Sequence, residues 1–116
     1  MRDFKQLAFW KRSHALTLKI YSLTASNFPK EEMYGLISQM RRSSSSVPTN
    51  IAEGCGRNTN PDFRRFLIIS TGSASELEYQ LLLAKDLGYL TDLIYKELNA
   101  ELIEIRKMIF AYIQTL

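Results

Sequence analysis

Lys11, Arg12, Arg41, Arg42, Arg57, Arg64 and Arg65 are the residues of this chain whose type and spacing point to chemistry with a partner. A guanidinium group holds its charge at any ordinary pH. Its planar fork of donors matches a phosphate or a carboxylate bidentately. Arg57, Arg64 and Arg65 lie close together in the chain, and Arg41-Arg42 stands just ahead of the serine run Ser43–Ser46. In an antiparallel arrangement, Arg57, Arg64 and Arg65 fall near one end of the molecule. Lys11 and Arg12 then fall nearer the C-terminal half of the second helix than its start. The expected result is a basic strip touching three helices, suited to RNA or DNA and sensitive to salt through counterion release. The competing expectation for each arginine is a solvated face or an ion pair with Glu53, Asp62, Glu76 or Glu78.

Other reactive side chains assemble into nothing comparable. His14 is the only histidine and falls in an apolar stripe, which predicts a hydrogen-bonded core residue rather than a catalyst. Cys55 stands between two glycines with no histidine nearby to activate it, as a packed thiol would. Gly54-Cys55-Gly56-Arg57 lacks the strand, lysine and spacing of a phosphate-binding loop. Asn50 and Glu53 are spaced as a capping box after Pro48. Glu97, Glu101 and Glu104 share a helix face, but no Glu-x-x-His accompanies them to make a di-metal site. Phe4, Trp10 and Phe28 offer rings for base stacking, although aromatic residues at helical spacing usually belong to a core. The expectation is therefore a protein that is not an enzyme, with no catalytic residue, no metal site and no cofactor.

Four amphipathic segments must position these groups. Leu7, Trp10, His14, Leu18, Tyr21 and Ala25 recur at helical spacing in the first, which Asn27-Phe28-Pro29 ends. Pro29 suits the first turn of a second helix, where Glu31 and Glu32 favour the dipole. Its stripe reads Met33, Leu36, Ile37, Met40, Val47 and Ile51 and keeps its phase through the serines. Pro48 removes one backbone bond, which predicts a kink there or a split around Ser46. Asn60-Pro61-Asp62 starts a third helix with the stripe Phe63, Phe66, Leu67, Ser70, Ala74, Leu77, Leu81 and Ala84, closed by Gly88. Thr91 caps a fourth, with Ile94, Leu98, Leu102, Ile105, Ile109, Tyr112 and Leu116 on one side. No strand pattern competes. The predicted fold is all-α: a single-domain antiparallel up-down four-helix bundle over residues 1–116, its second helix kinked near Pro48.

Two runs of small residues stand out: Ser43–Ser46 with Ala52, Gly54 and Gly56, and Ser70–Ser75 around Gly72. Glycine inside a helix costs roughly 1 kcal/mol against alanine. Both runs therefore predict a close approach to backbone, by a neighbouring helix or by another subunit.

The composition sets outer bounds. At 46% apolar and 23% charged residues, the chain is globular rather than disordered. One cysteine excludes an intrachain disulfide. There is no long apolar run and no signal-like N-terminus, so a cytoplasmic protein off the membrane is expected. Residues 1–30 carry a net +5, whereas residues 67–116 carry −3. This asymmetry favours an anionic partner.

Asp3-Phe4, Leu7, Trp10, Phe28-Pro29, Tyr34-Gly35-Leu36, Gln39-Met40-Arg41-Arg42, Ser46-Val47-Pro48-Thr49-Asn50-Ile51-Ala52-Glu53-Gly54, Arg57 and Gly72-Ser73-Ala74-Ser75-Glu76-Leu77-Glu78 follow one order. In this the chain resembles the four-helix bundle proteins encoded in intervening sequences of bacterial large-subunit ribosomal RNA genes. The Asn50–Gly54 and Gly72–Glu78 segments are the most specific. The resemblance implies a ring-like homopentamer. It also implies kinship with the accessory protein of diversity-generating retroelements, which binds nucleic acid and a reverse transcriptase. No reaction or catalytic residue is implied. Serines replace the alanines usual after the arginine pair. Two functions remain open: a homo-oligomeric bundle that binds nucleic acid, or an adaptor whose basic face docks an acidic protein such as a reverse transcriptase or ribonucleoprotein.

Overall fold

Helix starts and stops follow local chemistry. The Thr59 hydroxyl accepts the Asp62 amide at 3.3 Å, and Pro61 occupies the first turn, so the cap is Thr59 rather than the expected Asn60. The helix it opens ends at Leu87-Gly88. Gly88 takes φ +84°, a left-handed conformation that suits glycine. There the Gly88 amide donates to Lys85 and the Tyr89 amide to Ala84, each at 2.9 Å, in a Schellman closure. Thr91 caps the last helix by accepting the Ile94 amide at 3.2 Å.

The computed structural model describes residues 2–116. Four long helices follow in chain order: α1 Ala8–Ser26, α2 Leu36–Cys55, α3 Asn60–Asp86 and α4 Asp92–Ile113. Single 3-10 turns at Phe4–Gln6 and Lys30–Glu32 precede α1 and α2. Contacts between α1 and α2 run in opposite chain order, from Arg2 on Cys55 through Thr17 on Ser44 to Arg41 on Thr24. Those between α2 and α3 run likewise, from Ser43 on Gln80 to Ser70 on Val47. The molecule is an all-helical four-helix bundle 43 Å long. No strand occurs among the described residues.

The stripes predicted for α3 and α4 form the core. Phe63, Leu67, Leu77, Leu81, Leu102, Ile105 and Ile109 are fully buried. In α2, Val47 and Ile51 are buried beside Ile37 and Met40, so the phase does survive the serines. Pro48 lies inside a helix assigned without a break from Leu36 to Cys55, so there is no split at Ser46.

Two expectations are corrected. The second helix does not begin at Pro29. Pro29 flanks the short turn Lys30–Glu32, and α2 starts only at Leu36, whose amide the Glu32 carboxylate accepts at 3.1 Å. Met33 is consequently 45% exposed instead of core. The larger correction concerns α1, whose buried side is Phe9, Ser13, Leu16, Thr17, Ile20 and Thr24. The predicted stripe points largely outwards: Leu18 is 58% and Tyr21 43% exposed, and His14 and Ala25 are exposed as well. Small hydroxyl side chains let α1 approach α2, and they satisfy themselves on carbonyls. The Ser13 hydroxyl donates to Trp10 at 3.0 Å and that of Thr24 to Ile20 at 2.7 Å. A stripe led by Trp10 would have held the two backbones further apart.

The serine run has the same use. Pro48 has no N–H, so the Ser44 carbonyl four residues back loses its helical donor. The buried Thr17 hydroxyl of α1 supplies one from 2.9 Å, sharing its proton with the Ser13 carbonyl at the same distance. On the other side of α2, Ser43 reaches Gln80 at 2.6 Å, Ser46 meets Ser73 at 2.8 Å, and Ser70 donates to the Val47 carbonyl at 2.9 Å. Gly54 closes this seam. A Cβ there would stand 2.9 Å from both Phe63 Cδ1 and Phe66 Cβ.

Candidate nucleic-acid interface

The expected cations separate into three groups. Arg57, Arg64 and Arg65 come together where α2 ends and α3 begins, and Arg2 joins them. Arg2 donates to Asn60 at 2.7 Å and lies 4.3 Å from the Phe63 ring centroid. Arg57 and Arg65 both lie against the Phe66 ring, at 4.7 and 4.4 Å from its centroid. Both are also held by carboxylates. Arg57 pairs with Glu53 at 3.0 Å and Asp62 at 3.6 Å, and Arg65 pairs with Asp62 at 2.9 Å. Arg64 is exposed and makes no ion pair among the described residues. This end of the bundle therefore sets four arginines against Glu53 and Asp62, while Asp3 and Lys5 lie beside it. Sequence reasoning missed Arg2. The signal was its place ahead of Phe4, in a segment tied to α2 by an Arg2 amide to Cys55 carbonyl bond of 3.0 Å.

Arg12 turns away from this end towards α4. Its guanidinium meets both Glu101 carboxylate oxygens at 2.9 Å. The hydrogen bond holds Glu101 below the usual carboxylate range and raises Arg12 further. Lys11 beside it is exposed and without an ion pair among the described residues.

Arg41 and Arg42 stand on α2 about 20 Å along the axis from Arg57. Arg42 pairs with Glu76 of α3, which raises its pKa through the hydrogen bond. Arg41 donates to the Thr24 hydroxyl at 2.9 Å and lies 4.9 Å from the Tyr21 ring centroid. No carboxylate compensates its charge among the described residues. The structure thus makes one arginine-rich end and two separate outposts, not a continuous strip over three helices.

The remaining candidates are placed plainly. His14 is exposed and stacked on Trp10, with centroids 5.1 Å apart and planes 10° from parallel, so it is not a core histidine. Cys55 is buried, and burial pushes its thiol up. Asn50 and Glu53 make no capping box, because Asn50 donates back to the Ser46 carbonyl at 2.8 Å from mid-helix and Glu53 holds Arg57. Tyr89 and Glu32 share a 2.9 Å hydrogen bond that raises the phenol and ties the α1–α2 connection to the α3–α4 connection. Among the described residues, no helix is long and apolar enough to cross a membrane.

Residues 5–111 match the model of the 23S rRNA-intervening sequence protein family. The chain belongs to that family. It is also similar to a crystal structure, at 1.70 Å resolution, of a protein with unknown function from the S23 ribosomal protein family of Bacteroides thetaiotaomicron. The TM-score is 0.82 and the identity 26%, over 91% of this chain and 98% of that one. Among curated proteins nothing matches. Neither finding links the chain to diversity-generating retroelements.

Proposed function

We propose that this family member is a non-enzymatic, self-associating helical bundle that binds nucleic acid, RNA or DNA, through its arginine-bearing surface. The arginine-rich end built from Arg2, Arg57, Arg64 and Arg65 carries this proposal. Phe66 and Phe63 brace three of those guanidinium groups at short range, so less side-chain freedom is lost when phosphate docks. Glu53 and Asp62 orient Arg57 and Arg65, while Arg64 is left to the ligand. Lys11 and Arg41 add uncompensated charge elsewhere.

Self-association, as the homopentamer we expect, multiplies a weak patch into an avid one without new contacts. The outer side of α3 suits such a contact. Ile68, Ile69 and Tyr79 are exposed there around Gly72, which has open space where its Cβ would be.

The test is binding of a generic duplex and a structured RNA at low and high salt. Binding is expected at low salt with steep loss as salt rises. Replacing Arg64 and Arg65 together by alanine should flatten the salt slope by about 2 and weaken all sequences alike. Absence of binding at low salt overturns the proposal and leaves the adaptor role. Mass in solution tests the assembly, and a monomer overturns it.

A further inference from the structure

We propose that the seam between α1 and α2 is a track for unpaired, single-stranded nucleic acid, distinct from the arginine-rich end. This rests on the nucleic-acid function proposed above and adds the class of ligand and its place. Of the rings expected in the core of α1, His14 and Tyr21 lie instead along the outside of this seam, and Trp10 is half-buried at its edge. A groove of 460 Å³ is lined by Trp10, His14, Leu18, Tyr21, Pro48 and Ala52, among others. It meets, at Tyr21, a second concavity of 410 Å³ lined by Met33, Tyr34, Arg41 and Arg42. Tyr34 is 96% exposed at the edge of this second concavity. No carboxylate lines either concavity.

The order of groups along the track matches what an unpaired strand offers. Trp10 and His14 form a nearly parallel stack, as successive bases do, with the Phe4 ring edge-on to Trp10 at 4.8 Å. One helical ridge further lies Tyr21, with the Arg41 guanidinium over it, and beyond that Tyr34. Bases stack on rings and on guanidinium planes whatever their identity, while cations follow the phosphates. Arg41 is the cation in position, since no carboxylate compensates it. Thr49 and Ser38 add exposed hydroxyl donors beside it, while the Ser45 hydroxyl is donated to the Arg41 carbonyl at 2.8 Å. A duplex cannot use these rings, because its bases are already paired and stacked inside. An acid-free, ring-bearing groove therefore selects single strands, whereas the arginine-rich end accepts any phosphate backbone.

Trp10 is the sole tryptophan, so its emission reports on the track directly. The full-length protein is titrated at low salt with oligouridylate, oligothymidylate and a duplex of the same length. Saturable quenching by the single strands, with none by the duplex, is expected. Tyr34→Ala, a change at a surface position, should weaken single-strand binding about tenfold and leave duplex binding as it was. Single strands that bind without changing Trp10 emission, or that bind Tyr34→Ala as well as the parent, overturn the track but leave the proposed function standing. Failure of both strand types to bind overturns both. Trp10 emission that shifts with protein concentration alone, with no nucleic acid present, shows a second copy in the groove and also overturns the track.

Discussion

The seam between α2 and α3 and the seam between α1 and α2 use the same small polar residues to opposite ends. Against α3, the serines of α2 and Gly54 bring two backbones together over a buried centre of Ser43, Ser70, Val47 and Gly54, with the Ser46–Ser73 and Arg42–Glu76 pairs at its margin. Against α1, the inner half of the contact is closed by hydroxyl groups, with Thr17 serving the carbonyl that Pro48 strands. Its outer half opens into a ring-lined groove. The comparison teaches that hydroxyl side chains can stand in for apolar ones in a helix core when carbonyls lie within reach. That frees the large rings of α1 for the surface.

The largest effect expected from breaking this comparison is in the dry seam. Leu77→Ala, at a fully buried site, should cost about 2–5 kcal/mol, read from the denaturant midpoint. Gly54→Ala should cost about 1–3 kcal/mol, because Phe63 and Phe66 must move off a Cβ at 2.9 Å. If the Gly54→Ala midpoint stays at the parental value, the two backbones are not held as closely as described. In the mixed seam, Thr17→Val keeps the shape and removes the hydroxyl. It should cost about 1–3 kcal/mol, because the buried Ser44 carbonyl loses its partner. A smaller effect of opposite sign is expected at Gly72→Ala. With open space around the new methyl group, the isolated chain should gain about 0.5–1 kcal/mol. A loss, accompanied by a change of mass in solution, would show that a neighbouring subunit occupies that side. The smallest effect is at the Arg12–Glu101 pair. Because folding lowers the pKa of Glu101, the pair stabilises above the unfolded carboxylate value. That contribution is lost as pH falls through the lowered folded value, on the acid side of an ordinary glutamate. The pair is partly exposed, so only a few tenths of a kcal/mol are expected. Glu101→Gln should remove that slope from an acid titration of stability.

Much of the fold was legible because the longest regular apolar stripes of α3 and α4 are the sides that become buried. Phe63 to Ala84 and Leu98 to Ile109 line the core, although Ile68, Ile69 and Tyr79 leave further apolar groups on the outer side of α3. In α1 there were two candidate sides. Periodicity favoured Trp10, Leu18 and Tyr21 by bulk, and it had no means of counting the carbonyls that receive Ser13, Thr17 and Thr24. The candidate site was legible in residue type but not in grouping. Arg57, Arg64 and Arg65 do meet, and Arg2 joins them from the other end of the sequence. Arg12 and Arg42 are each taken up by a carboxylate on a helix far away in the chain.

By itself, then, the chain determined four amphipathic helices, the stop at Gly88, the Thr91 cap of the last helix and the basic character of its first half. These depend on contacts within a few residues, where spacing and side-chain type decide the outcome. Tertiary structure alone decided which side of α1 is inside, which arginines remain without a carboxylate, and why a proline can sit in mid-α2. Each of those turns on a group supplied by a different helix: the Thr17 hydroxyl for Ser44, Glu101 for Arg12, Glu76 for Arg42. Only once the helices have packed are those partners within reach.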